Sequence, residues 1–273
     1  MGISATVKLD SVSPQGARLT TMEVRCHRYV LSEFNTHRVF SRNSASSRAI
    51  PVRKTLERVQ ADPAIPAEWG KTCRGMSAHQ EVDESTINEA MDVYNSMLSS
   101  VLDGVSRLNE LGIHKQVANR FLEPFSWHTI VVTATNWDNF FAQRCHPDAQ
   151  PEIRILAEKM KEAYDNSTPV LVNTDDYHTP YILPCEYESL SVEERIKISI
   201  ARCARVSYLT HDGKRDISED LKLYDRLASA DPPHHSPFEH VATPGGCSSK
   251  YDNFQGWKSE RWALKNTLYV RSS

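Results

Sequence analysis

The sequence predicts an α+β fold, and three observations carry that prediction. Stretches rich in β-branched and apolar residues stand at 18–34 and 127–135. Amphipathic segments with capping boxes or an N-terminal proline occupy much of the remainder. Prolines and glycines gather between these segments, above all at 51–85 and 232–233.

Taken in order, Leu19, Met22, Val24, Tyr29 and Val30 form the pattern of a strand running into a turn or helix. Pro51, Pro63, Pro66, Gly70 and Gly75 then make 51–85 a long surface excursion. Thr86 and Glu89 have capping-box spacing, so each side chain can satisfy the other's free backbone N–H. The helix they open carries Ile87, Ala90, Met91, Tyr94, Met97, Leu98, Val101, Leu102, Val105 and Leu108 on one broad face. Gly112 is placed to end it. Trp127–Thr135 reads as a buried strand or a tight helix, because periodicity does not separate the two in so apolar a run. Pro151 suits a first helical turn, followed by Ile153, Leu156, Met160 and Ala163 as the buried stripe. Ser191 and Glu194 form a second capping box, with Val192, Ile196, Ile200 and Cys203 facing inward. A further helix is expected from Ile217 to Ala228, before Pro232 and Pro233 break the pattern.

With 273 residues, 40% of them hydrophobic, the chain can bury a substantial core. Length alone leaves one large domain or two small ones open, and residues 1–273 are read here as one domain. A net charge of −3 argues against a general nucleic-acid binder, which would carry a basic excess. MGISATVKLD lacks the features of a signal peptide, and its loose myristoylation match has no polybasic segment behind it. No apolar run approaches the roughly 18–20 residues that cross a bilayer, so a soluble, cytoplasmic protein without membrane partners is expected. Six cysteines without a CxxC pair point to reduced thiols rather than a zinc site or a disulfide framework.

Three clusters carry chemistry. Thr36–Arg48 holds three arginines, one histidine and five Ser/Thr hydroxyls in thirteen residues. Guanidinium forks beside small hydroxyls suit phosphate and carbonyl recognition, although a solvated basic loop has the same composition. Pro232–His240 (PPHHSPFEH) presents three histidines and a glutamate, but the histidines lack the spacing of a helical metal site, and no metal is assigned. The third cluster is Arg120-Phe-Leu-Glu-Pro124 with Asn136, Arg144 and Ala149-Gln-Pro-Glu-Ile153.

Together these segments resemble the flavin-dependent thymidylate synthases. THRVFSRNSASSR is similar to the family's signature, RHR followed by seven residues and a serine, with His37, Arg38 and Ser46 at matching positions. HHSPFEH resembles its H-x-[ST]-P-F-E-H segment, and Ala204–Tyr208 (ARVSY) its ARVSF-type stretch; RFLEP, TNWDNFFAQR and AQPEI resemble later segments. The order differs, because the signature precedes ARVSY and SPFEH here. The resemblance therefore implies a circularly permuted version of the family's fold, mixed helices with an antiparallel sheet.

By position, the resemblance places His37, Arg38, Asn136, Ser207, His234 and Ser236 at FAD. It places Ser46, Ser47, Arg48, Arg120 and Arg144 at the nucleotide, with Arg144 and Arg120 as the catalytic candidates. It implies methylation of C5 of dUMP to dTMP, with methylenetetrahydrofolate as carbon donor, NADPH as reductant, and a homotetramer with shared active sites. The chain departs from the pattern at Thr36, where the family has arginine, and at Glu33, Ser44, Asp138 and Asp148. These exchanges keep two alternatives open: a related flavin- and folate-dependent modification, such as hydroxymethylation of dUMP or dCMP, and a catalytically silent nucleotide-binding relative.

Overall fold

The computed structural model describes residues 2–206, 216–230, 234–246 and 249–271. Ser207, Pro232, Pro233 and Cys247 lie outside these residues. The chain opens with β1 (Ser4–Val12) and β2 (Arg18–His27), then α1 (Leu31–Asn35), β3 (Ser41–Ser44), α2 (Val52–Ala61), α3 (Glu84–Glu110) and α4 (Lys115–Ala118). It continues through β4 (Trp127–Ala134), α5 (Asp138–Arg144), α6 (Pro151–Asp165), β5 (Val170–Leu171), α7 (Pro184–Tyr187), α8 (Val192–Arg205) and α9 (Ile217–Ala228). Last come β6 (Ala242–Pro244), β7 (Lys250–Tyr251), β8 (Phe254–Gln255), β9 (Trp257–Ser259) and α10 (Glu260–Arg271).

One five-stranded sheet, ordered β3-β4-β2-β1-β5, organises the molecule. All its pairings are antiparallel except the short β1–β5 contact. The β1–β2 hairpin closes at Gly16, whose φ of +86° is one that a residue with a Cβ rarely adopts. Side chains alternate across the strands, so β2 and β4 turn Met22, Val24, Cys26, Ile130, Val132 and Ala134 to one face. There they meet Phe140 and Phe141 of α5 and Ile153, Leu156 and Met160 of α6. The opposite face carries Thr21 and Thr133 and receives α8 together with the 3₁₀ turn Ser236–His240. Trp127–Ala134 is thus a strand. Its near-continuous burial, which left periodicity undecided, follows from an interior position with layers on both sides.

The helices expected at Pro151, Ser191 and Ile217 form, over Pro151–Asp165, Val192–Arg205 and Ile217–Ala228. The excursion 51–85 contains a helix, α2, which buries Val52 and Val59 against Tyr94 and Leu98 of α3. One expectation needs correction. Helix α3 is capped by Asp83 rather than Thr86; the Asp83 carboxylate accepts from Thr86 N at 3.0 Å. Gly112, at φ +75°, does follow its end, while Met97 of the expected inner face is 51% exposed.

A buried ion-pair cluster fastens α9 to α8: Asp220 meets Arg202 at 2.8 Å and Arg205 at 2.6 Å. Removing one partner from such a pair costs about 3–5 kcal/mol, because the other charge stays buried. Among the described residues no helix is long and apolar enough to cross a membrane.

Candidate active site

The signature segment is shaped by an aromatic pile. Phe34, Phe40 and Phe140 stack edge-on or tilted at 5.1–5.7 Å and hold the Thr36–Phe40 turn against α5. His37 sits edge-on to Phe140 at 4.9 Å and is 5% exposed. Arg144, in the last turn of α5 where a cation is favoured, donates from Nε to His37 Nε2 at 3.0 Å. Its NH2 donates to Thr36 Oγ1 at 3.2 Å, and its NH1 makes no hydrogen bond among the described residues. His37 therefore accepts at Nε2 and carries its proton on Nδ1. Burial, with Arg144 and Arg42 nearby, lowers its pKa to about 4 and keeps it neutral at pH 7. Asn136 lies just beyond β4, exposed, and its side chain accepts from Asp138 N at 3.2 Å.

The HHSPFEH segment docks against β3 of the same chain. Pro237, Phe238 and His240 are buried, whereas His234 and Ser236 are exposed. His240 Nδ1 lies 2.8 Å from Thr133 Oγ1, which lies 2.7 Å from Thr21 Oγ1. Thr21 in turn meets His178 Nε2 at 2.8 Å, and His178 Nδ1 meets Ser11 at 2.7 Å. Each threonine hydroxyl has one proton for two neighbours, so these buried groups share one direction of donation along the chain. Burial lowers His178 and His240 to about 3, which leaves both neutral. Asn43 ties β3 to Cys203 O at 2.7 Å, and Asn253 reaches Ser41 Oγ at 3.2 Å. Sequence reasoning identified none of Thr21, Thr133, His178 or Asn253. Their partners lie 107 or more positions away, and no local pattern marks them.

The remaining candidates collect at the other end of β3. Asn119 donates to Ser47 O at 2.7 Å and to Ile50 O at 2.9 Å, fixing the Ser46–Arg48 turn beside its neighbour Arg120. Arg120 is half exposed and pairs with Glu123 at 2.8 Å. Arg48 is exposed and has no side-chain partner among the described residues. The sequence-predicted residues thus fall at two ends of β3: His37 and Arg144, in direct contact, at one, and Ser46–Arg48 with Arg120 at the other. They flank a strand that spans roughly 10 Å at ~3.3 Å per residue.

Burial raises the Cys26 thiol to about 12 and pushes Cys203 up as well, so neither offers a ready thiolate. Among the described residues no group of three or more His, Cys, Asp or Glu could hold a metal ion.

The family model for the thymidylate synthase complementing protein matches residues 3–170, ending before ARVSY and HHSPFEH. No curated protein sequence matches the chain. Among solved structures, the UMP/dUMP methylase PolB from Streptomyces cacaoi bound with 5-Br UMP is 15% identical, covering 59% of this chain and 88% of that one, with a TM-score of 0.50. Its complex with 5-Br dUMP gives 17% identity and a TM-score of 0.44 over 54% of this chain; the chain spans 66% of that relative's length. The flavin-dependent thymidylate synthase ThyX from Helicobacter pylori, complexed with FAD and dUMP, is 20% identical over 54% of this chain and 67% of that one, with a TM-score of 0.38. At such identities the first likeness is one of fold. The family match is broader, extending over more than half of the sequence and including the signature segment, RFLEP and Arg144. This chain therefore belongs to the thymidylate synthase complementing proteins, the flavin-dependent thymidylate synthase family of enzymes.

Proposed function

We propose that the protein methylates C5 of dUMP to give dTMP, with FAD bound, NADPH as reductant and methylenetetrahydrofolate as carbon donor. The observation that carries this reading is Arg144. It is oriented by neutral His37 and by Thr36, and its NH1 has no acceptor among the described residues. A guanidinium held this way keeps its full charge and presents a donor to a pyrimidine carbonyl, where negative charge develops when C5 reacts.

The donor set fits a flavin dinucleotide. Arg38 is exposed without a side-chain partner among the described residues. His234 and Ser236 are exposed on a segment packed against β3, and Asn136 stands beyond the neighbouring strand. These residues, with His37, would hold FAD, whose ring when bound supplies the redox and one-carbon chemistry that protein side chains lack. The chain's own tasks are to orient the nucleotide and to bind its charges. Ser46, Ser47, Arg48 and Arg120 would take the phosphate, and Arg144 the ring.

Because the two groups flank β3, we infer that a second copy completes each site, in a homotetramer. Exposed Val93, Met97, Val117 and Phe121 offer apolar surface for that contact. The permuted motif order belongs to the same proposal and is supported by the docking of HHSPFEH on β3. Thr36 favours one alternative, modification of another pyrimidine nucleotide, because it leaves a hydroxyl where the family pattern has a guanidinium.

The test is anaerobic incubation of the flavin-loaded protein with NADPH, methylenetetrahydrofolate and, separately, dUMP, UMP or dCMP, followed by mass spectrometry. Addition of one CH2 to dUMP is expected. A hydroxymethyl product, or turnover of another nucleotide alone, would move the function to the alternative; no product from any would favour a silent relative.

A further inference from the structure

A cavity of about 530 Å³ opens at the Trp127 end of the sheet, between the β2–β4 surface and α2. Of the residues assigned above to nucleotide or flavin, only Ser47 lines it. Three carboxylates face this space, and each is matched by its own cation. Glu23 meets Lys8 at 3.1 Å, Asp62 meets Arg25 at 2.6 Å, and Glu123 meets Arg120 at 2.8 Å. Two lining guanidiniums remain in surplus. Arg58 of α2 makes no salt bridge or side-chain hydrogen bond among the described residues. Arg28 reaches only the already matched Glu123, at a long 3.4 Å.

Arg28 is poorly served on its other side too. Its NH1 stands 3.0 and 2.8 Å from the two ring nitrogens of His128. A neutral imidazole has one acceptor nitrogen, so at most one of these contacts is a hydrogen bond. Burial, then the charge of Arg28, hold His128 neutral with a pKa of about 3. Ile50 and Val59 supply apolar wall, and the Ser47 and Thr55 hydroxyls add polar groups. Two surplus guanidiniums around a partly apolar space complement a dianionic head on an organic body, and arginine forks match phosphate oxygens in geometry as well as charge.

We propose that this cavity is a binding site for a phosphate monoester, held by Arg28 and Arg58. It rests on charge and cavity geometry, independently of the reaction proposed above. The phosphate has two conceivable sources, the substrate nucleotide or a second small phosphate ester.

Isothermal titration of the full chain in phosphate-free buffer, with phenyl phosphate as probe, tests it. Phenyl phosphate should bind more tightly than inorganic phosphate, and Arg58→Gln or Arg28→Gln should weaken it about tenfold, the value of one charge-assisted bond. Arg58 is exposed on α2, so Arg58→Gln keeps the test intact even if the Arg28 variant misfolds. Displacement by saturating dUMP, with dUMP equally weakened in Arg58→Gln, would name the nucleotide as the source. Simultaneous binding of both would name a second ester. Absence of binding, or equal affinity in the wild type and Arg58→Gln, would overturn the proposal.

Discussion

At the Ser41 end of β3, Arg144 spends Nε and NH2 on His37 and Thr36, and an aromatic pile immobilises the turn that carries them. At the Ser44 end, Arg48 and Arg58 have no side-chain partner among the described residues, while Arg28 and Arg120 share one carboxylate. The first arrangement is preorganised: neutral acceptors orient a cation without cancelling its charge, so no reorganisation is needed as charge develops on a ring. The second keeps positive charge in reserve. Its arginines lose side-chain freedom when an anion arrives, which suits binding rather than the chemical step.

The largest effect should come from the preorganised end. Arg144→Ala is expected to lower kcat about 10²–10³-fold with flavin retained, as for loss of one donor at a developing oxyanion. Steady-state kinetics and the flavin absorbance report both quantities. An unchanged rate and nucleotide affinity would strip Arg144 of its role.

A smaller effect should appear in the pH dependence of stability. His37 titrates near 4 in the folded protein but near its ordinary 6.5 when unfolded. The unfolded chain therefore binds the proton first. The stability linked to His37 is complete above pH 6.5 and is lost as pH falls from 6.5 toward 4, by about 2 kcal/mol at pH 5. His178 and His240, also lowered, act with the same sign. Thermal unfolding should show Tm falling from pH 7 to pH 5, less steeply in His37→Asn. Parallel slopes for the two proteins would mean that His37 is not depressed.

The smallest effect is expected at the open end. Arg120→Gln removes an exposed pair and should change stability by less than about 1 kcal/mol. It should nevertheless weaken dUMP about five- to tenfold through one lost charge-assisted bond. A large stability loss without a change in dUMP affinity would reverse the contrast between the two ends.

Much of the helical structure was legible because its signals are local. Ser191 with Glu194, and Pro151 at a first turn, specify helix starts from a few residues. The same locality explains one miss. Asp83 and Thr86 both precede an amphipathic run, and the carboxylate three residues upstream took the cap. Helix α2 also had a signal, Val52, Leu56 and Val59 at helical spacing, but the prolines on either side masked it. The site was legible as residue types and motifs. Which of them meet was not.

The sequence by itself determined that this is an α+β protein with capped helices, and that guanidiniums and hydroxyls are concentrated in Thr36–Arg48. Capping, periodicity and composition act over a few residues and survive without tertiary context. Only the tertiary structure decided that Arg144 closes on His37, that His240 reaches Ser11 through Thr133, Thr21 and His178, and that Arg28 and Arg58 line one cavity. Those pairings join strands and turns up to 167 positions apart. They exist because a twisted sheet with layers on both faces brings distant polar groups into a space where each must find a partner or be left for a ligand.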